Sequence, residues 1–366
     1  MSGMPDETDE TPAIQQADFE RITTIVTGEF QIEESLLEHG IPTYYLKQPQ
    51  ETKQAFLRLL KNLESMRLIA FLRKTGGRVV LRVVSKPVVK PSNIWINWGL
   101  FFATIATTFY TGYGLSASIA EAVPSFNPYV GGATFAIAIM AVLGLHEMGH
   151  KLTANRKGVE ATPPYFIPGP PPLGTFGAVI MQKSLPPNRD ALFDVGADGP
   201  VAGFVVATVV TLIGMTLAIP SPPVEATELG VPIVWNAFEW FLRGLNIVPN
   251  PPPGGLLLLH PIAFAGWVGM LVTMLNLLPA GMLDGGHVAR SIVGDRLRLV
   301  LSALSILYLV VLQSYVMAFF VLFVSLARHP GPLDDVSSLS TRRKLAAVGL
   351  VLVFVLCTFW PPQLVL

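Results

Sequence analysis

Gly131 to Leu145 forms a run without a single charged side chain, and it continues directly into His146-Glu147-Met148-Gly149-His150. That run opens an apolar block at approximately 131–152, and further blocks occupy approximately residues 94–115, 198–219, 257–279, 298–313, 315–328 and 344–361, seven in all. Inside a bilayer the backbone of such a block finds no water, so its N–H and C=O groups must be satisfied within a helix. Of 366 residues, 51% are hydrophobic and 14% charged, with a mean hydropathy of +0.52. That balance is too apolar for an ordinary soluble domain and reads as a multi-pass membrane protein. The predicted fold class is all-α, with about seven spanning helices and a membrane-associated β or re-entrant segment, joined to a small N-terminal α+β domain.

Two of the blocks, 298–313 and 315–328, are short for spanning helices, which need about 20 residues. Leu299–Ala327 is long enough to form one tilted helix instead. Charge arbitrates between the two arrangements. With seven spans and the N-terminus inside, the outer loops carry one of the 25 Lys+Arg, Arg243, and leave 24 inside. A single helix over Leu299–Ala327 would move Arg342, Arg343 and Lys344 outside, so a hairpin turning near Gln313-Ser314 is expected. The N-terminus then lies on the cytoplasmic face. Trp95, Trp98, Trp235, Trp240 and Trp267 mostly fall near proposed span ends, as interfacial anchors do.

Residues 1–18 begin MSGMPDETDETPAIQQ and read as a disordered acidic tail, without the basic flank and apolar core of a signal peptide. That tail favours the plasma membrane of a prokaryote. Residues 19–90 read as a soluble α+β domain: strands at RITTIVTGEF and TYYLK, an amphipathic helix at ETKQAFLRLLKNLESM, and a hairpin of LIAFLRK and RVVLRVV about Gly76-Gly77. No catalytic constellation occurs there, so the domain is either a docking module for a partner or a stabilising appendage. Residues 93–366 form the membrane domain. A net charge of zero gives no reason to expect nucleic acid, and the single cysteine, Cys357, rules out an internal disulfide and a cysteine-rich zinc site.

His146 and His150 are four residues apart, so on a helix they share one face and are separated by about 6 Å of rise. Two imidazoles so placed reach one zinc ion, with Glu147 beside them as a proton acceptor. An ionisable group in a spanning helix marks function by default. The plainer alternative is a snorkelling helix end, since Lys151, Arg156 and Lys157 follow. A catalytic zinc takes three protein ligands and keeps one position open. Glu160 is a local candidate for the third, although it lies past Gly158. The other candidate is Asp284 in NLLPAGMLDGGH, where it follows Leu283 and precedes two glycines that permit close backbone approach. A metzincin needs Gly at 153 and His at 156, and this chain has Thr153 and Arg156. Between the motifs, TPPYFIPGPPPLGTFGAVI cannot be a regular helix, and its end, GTFGAVIMQ, has strand character. Gly199 and Gly203 in DGPVAG form a small-xxx-small step suited to close helix packing.

His146-Glu147-x-x-His150 in an apolar helix, followed much later by Asn276-x-x-Pro279-x-x-x-Leu283-Asp284-Gly285, resembles the site-2 protease family of zinc intramembrane metalloproteases. The resemblance covers roughly residues 94–330 and includes DGPVAG and PGPPPLGTFGAVI; the N-terminal domain is similar to the plastid and prokaryotic branch. It implies one zinc ion per chain held by His146, His150 and Asp284, with Glu147 as general base and Asn276 assisting at the oxyanion. It also implies membrane-protein substrates with a helical spanning segment, cut within or near the lipid bilayer. Such a substrate must unwind, and the GTFGAVI strand edge, at Gly177 and Ala178, is suited to hold it by backbone pairing. Two other readings compete. A CAAX-type membrane zinc protease takes its third ligand from a downstream glutamate, and no apolar-flanked Glu-x-x-x-Asp follows His150. A non-catalytic metal-binding or transport protein needs polar groups along several spans, and a structural metal has no use for Glu147.

Overall fold

A computed structural model describes residues 16–89, 91–223, 228–327 and 329–365. The described chain is mostly helical with small sheets, and it divides into two compact units.

The first unit combines the described residues of Met1–Lys90 with Leu185–Arg189 and Gly331–Ser338. Its elements are α1 (Gln16–Glu29), β1 (Ile32–Glu38), β2 (Ile41–Leu46), α2 (Lys53–Glu64), β3 (Leu68–Thr75) and β4 (Arg78–Ser85). The strands form an antiparallel sheet in the order β1-β2-β4-β3. The expected β3–β4 hairpin is present, with Gly76 and Gly77 both at positive φ in its turn. RITTIVTGEF, expected as a strand, lies instead in α1. Its β-branched residues suggest extended chain, but Ile22, Val26 and Phe30 are buried together while Thr24 and Gly28, which a strand would place on that same face, are exposed; a helix turns them away. The hydroxyls of Thr23, Thr24 and Thr27 bond back to carbonyls four residues earlier, so they sit in the helix without loss of partners. Of the acidic stretch 1–18, residues 1–15 lie outside the described residues and 16–18 open α1.

The free edge of β3 is completed by segments far away in sequence. The Leu72 amide donates to the Leu333 carbonyl at 2.9 Å, and the Asp335 amide donates to the Leu72 carbonyl at 3.1 Å. On its other side the same segment receives the Pro186 and Pro187 carbonyls, through the amides of Leu333 and Asp334. Leu333 is buried in the same core as Phe56, Leu59 and Leu72. Edge strands left open invite pairing with other chains, and this edge is closed from within.

The second unit contains Pro91–Ser184, Asp190–Pro330 and Leu339–Leu366. In chain order it comprises α3 (Ile94–Ala122), α4 (Pro128–Arg156), β5 (Tyr165–Pro168), β6 (Thr175–Val179), α5 (Arg189–Thr216, whose first residue belongs to the other unit), β7 (Ile219–Ser221) and β8 (Glu228–Pro232). There follow α6 (Ile233–Gly244), β9 (Leu256–Leu258), α7 (Pro261–Leu277), α8 (Asp284–Val311), α9 (Tyr315–Ser325), α10 (Thr341–Cys357) and β10 (Phe359–Val365). Local chemistry fixes several helix starts: the Asn127 side chain accepts from the Tyr129 and Val130 amides with Pro128 next to it, and His260 Nδ1 accepts from Ile262 with Pro261 next to it. The α8–α9 hairpin turns where expected, with Gln313 at φ 57°. α8 itself breaks at Gly294 (φ 79°). Among the described residues, α4 and α5 are the two helices long and apolar enough to cross a membrane; α7, Leu297–Val311 and α9 are apolar but shorter.

The proline-rich connection after α4 is a β-hairpin, β5 with β6, in the register Tyr165↔Val179, Phe166↔Ala178 and Ile167↔Gly177. Trp235 is not an interfacial anchor: it is 1% exposed, and its indole N–H points to Met270 Sδ at 3.1 Å. Its position on the inward side of the short helix α6 buries it, whereas Trp240 on the opposite side is 79% exposed.

Because Leu333 belongs to the core of the first unit, Leu333→Ala should destabilise that unit by about 2–5 kcal/mol, as a core leucine truncation does. The urea dependence of proteolysis within the N-terminal 90 residues of the full chain measures it; an unchanged midpoint would remove the segment from the core.

Candidate metal centre

α4 ends within two turns past His150 because Gly158 takes a positive φ of 70° and the Val159 amide folds back to the Ala154 carbonyl. His146 and His150 therefore occupy the last turns of an apolar helix, on one face, and both are buried. α7 ends at Leu277 and the chain turns through Pro279 into α8, whose first residue is Asp284. That turn brings the Asp284 carboxylate onto the two rings. Asp284 Oδ2 lies 3.2 Å from His146 Nε2 and 3.2 Å from His150 Nε2, and the two ring nitrogens are 3.2 Å apart. Asn276, in the last turn of α7, has its Nδ2 3.4 Å from His146 Nε2. Glu147 Oε1 is 4.0 Å from the same nitrogen.

These distances fit a zinc ion. Three donors 3.2 Å apart leave room for an ion about 2.0–2.1 Å from each. The protonation chemistry supports the fit. His150 Nδ1 is 2.6 Å from the Val195 carbonyl, which only accepts, so Nδ1 carries the proton. In the neutral ring Nε2 is then a bare acceptor, and it faces the carboxylate oxygen, another acceptor. A buried cation between them resolves that conflict, and an imidazole oriented through its other nitrogen by a carbonyl is the usual arrangement for a metal ligand.

α5 closes the floor of the centre. A Cβ added to Gly199 would stand 2.0 Å from His150 Nε2, and one added to Gly203 would stand 2.7 Å from His146 Nδ1. The small-xxx-small step thus serves close packing, and what it packs against is the pair of ligand rings. The Ile180 backbone amide, just past β6, faces the Glu147 carboxylate. Gly177 and Ala178 lie in β6, which among the described residues pairs only with β5.

The other sequence candidates are placed as follows. Among the described residues, the only group of three or more His, Cys, Asp or Glu side chains close enough to share an ion is His146, His150 and Asp284, so Glu160 is not part of it. The Glu160 amide instead bonds to Ser184 Oγ at 2.8 Å. His260 caps α7, a structural role, and stacks edge-on against Phe126. His287 Nδ1 lies 2.7 Å from His329 Nε2. Burial, followed by the nearby His287, Arg290 and Arg298, pushes His329 down to about 3, so it stays neutral at ordinary pH and forms a hydrogen bond rather than a repelling pair. No side-chain pattern announces the Val195 carbonyl, because a backbone oxygen has no sequence signature; the nearest signal is the proline-interrupted helix around it.

A helix-borne His-Glu-x-x-His pair closed by a distant aspartate is the donor set of a catalytic zinc centre, with three protein ligands and one position left over. Residues 134–321 match the peptidase family M50. With the match spanning more than half of its length, the chain belongs to that family. It is 32% identical over 228 residues to the probable zinc metalloprotease EGY2, chloroplastic, of Arabidopsis thaliana, covering 60% of this chain and 40% of that protein. It is 32% identical over 319 residues to EGY1 of the same plant, also described as a probable chloroplastic zinc metalloprotease, covering 78% of this chain and 57% of that one. The chain thus spans roughly two-fifths to three-fifths of the length of these relatives. Among solved structures, it is similar to the site-2 protease from Methanocaldococcus jannaschii, with a TM-score of 0.30 and 17% identity over 61% of this chain and 85% of that one.

Gly199→Ala should expel the metal by placing a methyl group where His150 Nε2 lies, lowering zinc from about one ion per chain toward zero in elemental analysis. Gly114→Ala, where an added Cβ meets open space, should leave it unchanged. Full zinc content in the Gly199 variant would show that α5 does not pack as described.

Proposed function

We propose that this chain is a zinc-dependent endopeptidase of the site-2 protease type that hydrolyses peptide bonds in or near the spanning segments of membrane proteins. The observation that carries the reading is the meeting of His146, His150 and Asp284 within 3.2 Å of one another, 138 residues apart in sequence at the extreme. Membership of the family and the names of the relatives point the same way.

In this reading His146, His150 and Asp284 hold the zinc ion. When bound, the ion would polarise the scissile carbonyl and make water acidic enough to attack near neutral pH. Glu147 takes the proton of the attacking water on a carboxylate oxygen and delivers it to the leaving amine nitrogen. Asn276 Nδ2 donates to the oxygen that gains charge, an effect worth about 3–4 kcal/mol for a single donor in other hydrolases.

A substrate helix hides its carbonyls in its own hydrogen bonds and has to be drawn out before it is cut. The open edge of β6, at Gly177 and Ala178, is suited to hold the drawn-out strand by backbone pairing, and the nearness of Ile180, just past β6, to Glu147 supports that use. Gly177 takes a φ of 102°, so a proline there would disturb the hairpin itself; Ala178 is the better probe.

The wider architecture we propose is a membrane domain over 93–366 with seven spans, the α8–α9 hairpin counting as two, and the N-terminus on the face that carries most of the basic residues. Residues 19–90 form a soluble α+β domain that docks a partner; the exposed strand β1, with Leu36 and Leu37 at its surface, supports that role. The relatives are chloroplastic by name and lend nothing to a prokaryotic plasma membrane, so the compartment is proposed only as a lipid bilayer with membrane-protein substrates.

Glu147→Gln tests the chemistry: it should retain zinc and lose cleavage of a spanning model substrate by about 10²–10⁴-fold. Undiminished turnover would overturn the mechanism. Ala178→Pro should retain zinc and weaken cleavage; unchanged cleavage would remove β6 from substrate binding.

A further inference from the structure

The first turns of α5 carry Asp190, Asp194 and Asp198 at four-residue spacing, and therefore on one face. Each is held from outside. Arg343, near the start of α10, grips Asp194 through both guanidinium edges, Nε to Oδ1 at 2.6 Å and an amino nitrogen to Oδ2 at 2.5 Å. Its remaining amino nitrogen donates to Asp190 Oδ2 at 2.9 Å. Lys157, at the end of α4, reaches Asp194 Oδ2 at 2.6 Å, and Thr153 Oγ1 donates to Asp198 Oδ2 at 2.5 Å. The Ser340 amide adds a bond to Asp190 Oδ1 at 3.0 Å.

The residue after Asp194 is Val195, whose carbonyl receives His150 Nδ1, and Gly199 and Gly203 follow one and two turns later against the ligand rings. This stretch of α5 is poorly held by its own backbone. Pro200 has no N–H to offer the Gly196 carbonyl, so one helical bond is missing at the turn that orients His150. A two-point guanidinium grip sets direction as well as distance, which a point charge does not.

We propose that Arg343 is a positioning residue of the metal centre: by clamping Asp190 and Asp194 it fixes the turn of α5 whose Val195 carbonyl orients His150. The inference rests on the zinc reading given above and extends it to residues that touch neither metal nor substrate. Arg343 touches neither His150 nor Val195 directly and acts through the helix. Its loss therefore changes how the ion is held.

The test uses the full-length protein in detergent, with zinc affinity measured by chelator competition and with cobalt(II) as a spectroscopic probe of the ligand geometry. Arg343→Gln should weaken zinc binding by about 10–100-fold and alter the visible cobalt bands at saturation, a change that a general loss of stability does not produce. Arg343→Lys, which keeps the charge without the fork, should fall between Gln and wild type. Arg243→Gln, which breaks the exposed Arg243–Glu239 pair, should match wild type in both readings. Wild-type affinity and cobalt bands in Arg343→Gln would overturn the proposal; should that variant not fold, the same result in Arg343→Lys would overturn it. If wild type itself binds no zinc, the metal reading fails instead, and the two failures are told apart.

Discussion

The proposed function depends on one interaction, a cation held between His146, His150 and Asp284, and much of the second unit is arranged around that buried group. Three lone-pair donors at 3.2 Å from one another repel unless something positive joins them, and burial removes the water that would otherwise screen them. The chain meets the requirement with parts from four helices. α4 supplies two rings on one face, and the start of α8 supplies the carboxylate. The end of α7 places Asn276 beside them, and α5 offers glycines where any side chain would displace a ring. An outer contact orients one ring: the Val195 carbonyl fixes the proton on His150 Nδ1.

The ligands themselves were legible in the sequence because their chemistry is carried by side chains at fixed spacing. His146 and His150 share a face by helical period alone. Asp284 stood out as a carboxylate placed directly after an apolar stretch and before glycines, although its closeness to the histidines is a product of the tertiary fold. Spacing alone leaves Glu160, past Gly158, as a local competitor; the group of side chains close enough to share an ion contains Asp284 and not Glu160. The helical hairpin at Gln313 was legible through loop charge, and the β3–β4 hairpin through its glycine pair.

What stayed hidden has physical reasons. Thr, Ile and Val favour strands locally, so α1 looks extended in sequence; the burial of Ile22, Val26 and Phe30 with Thr24 and Gly28 left outside is set only once a core is available. The segments 185–189 and 331–338 carry prolines and polar residues typical of loops, and the pairing of 331–338 with β3 on one side and with 185–189 on the other depends on contacts across more than a hundred residues. The Val195 carbonyl could not be found by any side-chain rule. Gly199 and Gly203 were recognised as a packing step, but their neighbours were not, since spacing says how close a helix can come and not what it meets.

The most direct test of the central claim is zinc-edge X-ray absorption on the purified full chain. The account requires about one zinc per chain, four-coordinate, with two imidazoles and oxygen ligands at about 2.0 Å, and no sulfur. An ion bound without imidazole scattering, or a six-oxygen shell, would contradict it.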